Sequence, residues 1–376
     1  MAVSPSVLGK VLEVFERNFR DRGELGASIS IWWNGAELLS QGQGWCEREK
    51  LRPWTEKTLV PVYSATKVPA AATLLTALES RGLSAETAVR EVASSCATAK
   101  FSHLLSHQCG LPILDQAADV FDHAAVVAAI EAQIPSWNLG SGHGYHPRTY
   151  GALTDESVRR LTGKMLGIYW QERIAEPLAL DFWIGLPESE WTRVARLYPG
   201  KADKSDLADG FYQQLTTQGT FTRRAFSSPR GLHAIHEMNE SRAWAAGLPA
   251  LGGLGTASAL AKFYQAAMGT IESPLSEMVR KSLATQQCSG DDRVLLRPTA
   301  FTCGAQQDPC DVFGKKIRQI YGPSLSAFGH PGAGGSHGLG DPESGISFAY
   351  VMNQMDLSVM PGVKCMEMVA ALFEEL

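Results

Sequence analysis

The chain has 376 residues, 44% of them apolar and 19% charged, with a formal net charge of -5 and a pI near 6.0. Such a chain can bury a large core, and its slight acidity leaves no basic field for a polyanion. No run approaches the ~20 apolar residues of a membrane span, so neither nucleic acid nor a membrane is expected as a partner.

Residues 1–22 carry Val7, Leu8, Val11, Leu12, Phe15 and Phe19 at helical spacing with charges between them, unlike the uninterrupted apolar segment of an export signal. Residues 26–33 and 36–44 read as strands joined by Asn34-Gly35, a dipeptide suited to tight hairpins because both positions tolerate positive φ. Leu59, Val60 and Val62 form a short apolar strand running into an alanine-rich helix. Helical patterns follow at 71–81, 124–133, 151–162, 165–174 and 191–197, and the polar, glycine-interrupted stretch 198–230 reads as a mobile surface loop. Near the end, 345–353 is an apolar strand, and 362–376 is a helix with Val363, Met366, Val369, Ala370 and Phe373 on one face.

This order predicts an α/β chain of two lobes. An antiparallel sheet lobe is built from both ends, 1–69 and 246–376, and a mainly helical lobe, 70–245, is inserted between them. Seven cysteines, at 46, 96, 109, 288, 303, 310 and 365, form an odd set without Cys-x-x-Cys spacing. They read as reduced thiols of a cytoplasmic protein, with Cys303 and Cys310 close enough in sequence to pair under oxidation.

Ser64-Ala65-Thr66-Lys67 stands where the short strand meets the helix. A serine hydroxyl is a weak nucleophile because nothing in its own side chain takes the proton. If Ser64 opens the helix, Lys67 lies one turn on, with its amine in reach of the hydroxyl. Pro69 agrees, since proline fits only the first turn. A serine before a helix is also a common N-cap, so the motif gains weight only from company elsewhere.

That company comes in two segments. Gly142-His143-Gly144-Tyr145-His146-Pro147 offers Tyr145, whose phenol near a lysine ammonium would release its proton more readily. Phe328-Gly329-His330-Pro331-Gly332-Ala333-Gly334-Gly335-Ser336 offers glycines that let a backbone approach a ligand. Amides of Gly332, Ala333 and Gly334, with that of Ser64, are therefore candidates to hold an oxyanion.

In this order the pieces resemble the serine β-lactamase and penicillin-binding-protein superfamily. More narrowly, the chain resembles the class C β-lactamase-like branch that includes family VIII carboxylesterases. Phe101-Ser102-His103-Leu104-Leu105-Ser106-His107-Gln108-Cys109-Gly110-Leu111-Pro112 looks like that branch's "hLLsHtsGLP" segment, and segments 176–187 and 254–261 are similar to the esterases. The resemblance covers nearly the whole chain. It implies a β-lactamase/transpeptidase-like fold, with an antiparallel sheet flanked by helices. It also implies Ser64 as nucleophile, Lys67 and Tyr145 as the base pair, and the amides of Ser64 and Ala333 as the oxyanion hole, with His330, Gly332 and Gly334 on the substrate side.

Two positions depart from the β-lactamase pattern. Tyr145-His146-Pro147 replaces Tyr-x-Asn, losing an amide toward substrate, and His330-Pro331-Gly332 replaces Lys-Thr-Gly, losing the ammonium and hydroxyl that hold a β-lactam carboxylate. A mostly neutral imidazole suits an uncharged ester better. The expected activity is therefore acyl-enzyme hydrolysis of small, short-chain esters with at most weak β-lactam turnover, needing no cofactor or metal. Alternatives are a β-lactamase, a D-amino-acid peptidase or amidase, or a silent binding protein on this fold.

Two other chemistries compete. Gly334-Gly335-Ser336-His337-Gly338 matches the Gly-x-Ser-x-Gly elbow of α/β-hydrolases, but no histidine follows His337 to complete that triad. Nine histidines invite a metal hydrolase, yet no His-Glu-x-x-His run exists.

Overall fold

In the computed structural model, residues 3–89, 97–201 and 209–374 are described. Cys96 and residues 202–208 of the expected loop lie outside them. The main sheet has eight strands in the order β2-β1-β11-β10-β9-β8-β7-β6. They are β1 (Gly26–Trp33), β2 (Ala36–Gly44), β6 (Cys288–Asp291), β7 (Pro298–Phe301), β8 (Gln306–Gln307), β9 (Phe328–Pro331), β10 (His337–Asp341) and β11 (Ile346–Met352). A second sheet runs β3 (Val60–Pro61), β5 (Gly253–Gly255), β4 (Phe182–Ile184). All pairings within both sheets are antiparallel.

The β1–β2 hairpin turns at Asn34 and Gly35, with φ of +45° and +87°, the mirror-image turn that matches strand twist. β1 also pairs with β11, from Ala27 opposite Met352 to Trp33 opposite Ile346, so the two ends of the chain share the sheet centre. The helix Ala257–Met268 lies across β1, β10 and β11. The helices Pro5–Asp21 and Val363–Phe373 pack on each other, joined by ion pairs of Arg17 and Arg22 with Glu367 and of Lys10 with Glu374.

The helix Lys67–Glu79 is buried along nearly its whole length, as its alanine-rich, mostly apolar sequence requires. It packs against Thr149–Thr162, Leu166–Trp170 and Glu277–Ala284. Among the described residues, no helix is long and apolar enough to cross a membrane.

Two expectations need correction. The stretch 191–197 is not a helix: a 3-10 turn at Glu188–Arg193 gives way to extended chain, where Val194 bridges Leu59 and Tyr198 donates to the Asn353 carbonyl at 2.8 Å. Pairing with neighbouring backbone overrides the local periodicity there. Nor is the described part of 198–230 a surface loop. Helices Gly210–Thr216 and Phe221–Phe226 fold it, and Phe211, Tyr212 and Ala225 are buried in a small core with Tyr145. Its aromatic residues supply enough apolar area to hold it down. Cys303 is buried and Cys310 exposed, and the two are not joined to each other.

Candidate active site

β3 delivers the chain into a 3-10 turn, Tyr63–Thr66, directly before the helix at Lys67. Pro69 falls in that helix's first turn, where its missing N–H is harmless. Tyr63 has φ +48°, a conformation unfavourable for a bulky side chain unless its surroundings impose it. They do: Val62 donates to Gly253 at 2.9 Å, while Thr66 Oγ1 donates to the Tyr63 carbonyl at 2.5 Å and accepts from Gly253 at 2.9 Å. The turn is thus locked to β5, and Ser64 projects half-buried from it.

Lys67 is fully buried, and its Nζ lies 3.2 Å from Ser64 Oγ, 3.0 Å from the Pro147 carbonyl and 2.7 Å from the Ala250 carbonyl. Burial, reinforced by the charge of Arg148, holds its pKa well below the ordinary lysine value. A neutral amine has two N–H donors and one lone pair. With two carbonyls taking the donors, the lone pair is left for the Ser64 hydroxyl.

Tyr145 packs beside this amine, its ring centroid 4.8 Å from Lys67 Nζ. Burial pushes its phenol well above the usual tyrosine value; the Ser64 hydroxyl opposes that shift and Asp292 adds to it. Desolvation thus acts against the phenolate that a neighbouring ammonium would favour. Ser64 is the polar neighbour acting on the phenol, but their geometry falls short of a formed hydrogen bond. The phenolic oxygen therefore has no partner among the described residues.

Asp292 was invisible in the sequence reading and holds the tyrosine in place. Its fully buried carboxylate accepts from the backbone N–H of Tyr145 at 3.0 Å, of Val294 and Leu295 at 2.8 Å each, and from Thr299 Oγ1 at 3.2 Å. The local signal was an aspartate two and three residues ahead of the amides it accepts from, an Asx-type turn. The bond to Tyr145 spans 147 positions and left no local trace.

His146 and His330 beside the site are neutral, with both ring nitrogens engaged. His146 Nδ1 donates to the Gly144 carbonyl at 2.7 Å and Nε2 accepts from Leu111 N at 2.9 Å, while burial lowers its pKa to about 3. His330 Nδ1 donates to the Pro331 carbonyl at 2.7 Å, leaving Nε2 to accept from Gln306 at 3.4 Å; burial brings it also to about 3.

Ser64, Tyr145, His330 and Ala333 open on one narrow cleft, walled by Phe226, Leu295, Gln306, Val359 and Met360. Among the described residues, no charged side chain lines it. Gly332 makes this convergence possible: a Cβ there would stand 2.1 Å from the Val62 carbonyl oxygen, so only glycine lets the strand after His330 lie on the Ser64 turn. The backbone amides of Ser64 and Ala333 have no internal acceptor among the described residues. Gly332 and Gly334 differ, as their N–H groups donate to Ser336 at 2.6 Å and Ser358 at 2.7 Å. Those two glycines shape the loop and have no donor left for substrate.

Ser336 is buried and off the cleft. Among the described residues, no group of three or more His, Cys, Asp or Glu side chains is placed to hold a metal ion.

A beta-lactamase family model matches residues 15–362. The esterase/beta-lactamase LipL of Mycobacterium tuberculosis is 30% identical over 361 residues, covering 92% of this chain and 81% of LipL. Among solved structures, a penicillin-binding-protein homologue from Caulobacter crescentus is 31% identical with a TM-score of 0.84, covering 100% of this chain and 99% of its own. A family VIII carboxylesterase is 27% identical with a TM-score of 0.85 over the same shares. The chain belongs to the beta-lactamase family, within the serine β-lactamase and penicillin-binding-protein superfamily.

Proposed function

We propose that this protein is a serine carboxylesterase that cleaves small, short-chain esters through an acyl-enzyme, with at most weak β-lactam hydrolysis. The observation that carries the reading is the buried Lys67 amine, its pKa held well below the ordinary lysine value, 3.2 Å from Ser64 Oγ in a cleft that no charged side chain lines among the described residues. That wall offers an anionic antibiotic no cationic partner, whereas an ester needs none. The names of LipL and of the family VIII neighbour support ester cleavage.

In this mechanism Ser64 Oγ bonds to the ester carbonyl carbon as its proton passes to Lys67 Nζ. The oxyanion meets the amides of Ser64 and Ala333. Collapse breaks the bond to the alcohol oxygen, which takes the phenolic proton of Tyr145, and the phenolate is reprotonated by the Lys67 ammonium. Water then repeats the sequence on the acyl-enzyme, releasing the acid and restoring Ser64. The proposal keeps the division into lobes 1–69 with 246–376 and 70–245, the cleft lying at their junction. It also keeps a cytoplasmic location, on the strength of the odd cysteine set.

A p-nitrophenyl ester chain-length series beside nitrocefin, on wild type and Ser64→Ala, tests this. Acetate and butyrate esters should turn over far faster than nitrocefin, and Ser64→Ala should lose both. Ester turnover surviving in Ser64→Ala, or nitrocefin as the better substrate, would overturn it.

A further inference from the structure

A second, narrow pocket shares no lining residue with the cleft. Its wall includes Arg148, His123 and Asp155 beside the apolar Val126 and Leu251. Arg148 is only 8% exposed. Its Nη groups donate to the carbonyls of Gly231 and Leu232, and its Nε–H has no acceptor among the described residues.

No acid forms a direct ion pair with Arg148 among the described residues. Asp155 lies against His123 at 3.6 Å, and burial raises its pKa toward the neutral acid. Glu156 is held by Arg159 and Arg160 at 2.7 and 2.6 Å. Glu237, which acts on Arg148 at longer range, accepts from the amides of His233 and Ala234 at 2.7 Å each. A buried guanidinium satisfied only by carbonyls is an expensive arrangement unless an anion completes it.

We propose that this cavity binds a short-chain monocarboxylate, the class of acid that ester hydrolysis releases, with its carboxylate on Arg148 and its alkyl tail on Val126 and Leu251. The site touches the catalytic lysine through the backbone. Ala250 lines the cavity and Pro147 directly precedes Arg148, and their carbonyls are the two that accept from Lys67 Nζ. A bound anion offsets the guanidinium field at Lys67 and strains its cradle, so the acid product slows turnover from outside the cleft. This coupling, unlike the binding, rests on the reading of Lys67 as the base.

Calorimetric titration with sodium butyrate tests the site, using wild type before and after blocking Ser64 with a fluorophosphonate, and the Arg148→Met and Ala152→Leu variants. Saturable binding should survive the block, weaken at least about tenfold in Arg148→Met, and disappear in Ala152→Leu, whose added bulk fills the cavity. In kinetics, butyrate should lower kcat with KM unchanged. No saturable heat in the blocked enzyme, affinity unchanged in both variants, or a rise in KM alone would each overturn the proposal. If Arg148→Met fails to fold, Ala152→Leu decides. If Ser64 resists the fluorophosphonate, the esterase reading fails, while titration of the untreated protein still decides whether the cavity binds butyrate.

Discussion

Asp292→Asn probes how Tyr145 is held. The carboxylate accepts from three backbone amides, those of Tyr145, Val294 and Leu295, at 2.8 to 3.0 Å with its side chain fully buried. Hydrogen bonds to a buried charge are roughly twice as strong as neutral ones, which contribute about 1 kcal/mol each. Removing the charge while keeping the shape therefore weakens three bonds by about 1 kcal/mol apiece, or roughly 3 kcal/mol in all. A typical domain stability of about 5–15 kcal/mol absorbs that loss. The same change loosens the backbone of Tyr145 and of Leu295, which walls the cleft, so kcat for p-nitrophenyl acetate should fall about 10- to 100-fold. Urea unfolding reports the first effect, and kcat with its pH profile reports the second. A variant destabilised as calculated, yet with wild-type kcat and pH profile, would refute the positioning role.

Turnover requires neutral Lys67, whose pKa burial and Arg148 depress. The rate should hold steady as pH falls through the ordinary lysine range near 10.4 and drop only when protonation reaches the depressed value; a kcat/KM profile that declines with an apparent pKa near 10 would contradict this. Gly332→Ala places a Cβ 2.1 Å from the Val62 carbonyl oxygen, displacing the Ala333 amide from the Ser64 turn. Turnover should fall about 100-fold or more, the cost of one lost oxyanion donor, as measured against an unchanged thermal melt of the helical region by circular dichroism. Phe226→Ala opens the cleft wall, so the ratio of hexanoate to acetate ester kcat/KM should rise about tenfold, read in the same chain-length series.

Features that act over a few residues were legible in the sequence. The Asn34-Gly35 hairpin, the first turn starting near Pro69, and the pairing of Ser64 with Lys67 all follow from local backbone rules. Tyr145 and Ala333 could be placed near Ser64 only through the family resemblance, because nothing in the long intervening chain dictates that approach. What stayed hidden depends on burial by distant segments. The depressed pKa of Lys67 needs its burial and the field of Arg148, and the cleft wall needs Phe226, Leu295, Gln306 and Met360 from four separate stretches. The glycines around Ala333 were legible as a close approach. Their spent amides were not, since the acceptors, Ser336 and Ser358, are chosen by the tertiary fold. Stretch 191–197 shows the converse, where a helical pattern lost to a backbone ladder that periodicity does not register.

The pairing of β1 with β11 bears on how activity arises during synthesis. A nascent chain that has already made Ser64, Lys67 and Tyr145 still lacks the strands from β6 onward that finish the sheet and bring Ala333 to the nucleophile. Such long-range strand partnership is slow to form. Under the proposed mechanism the ribosome must therefore deliver almost the entire polypeptide before the Ser64 hydroxyl is armed, which keeps it silent through most of its own translation.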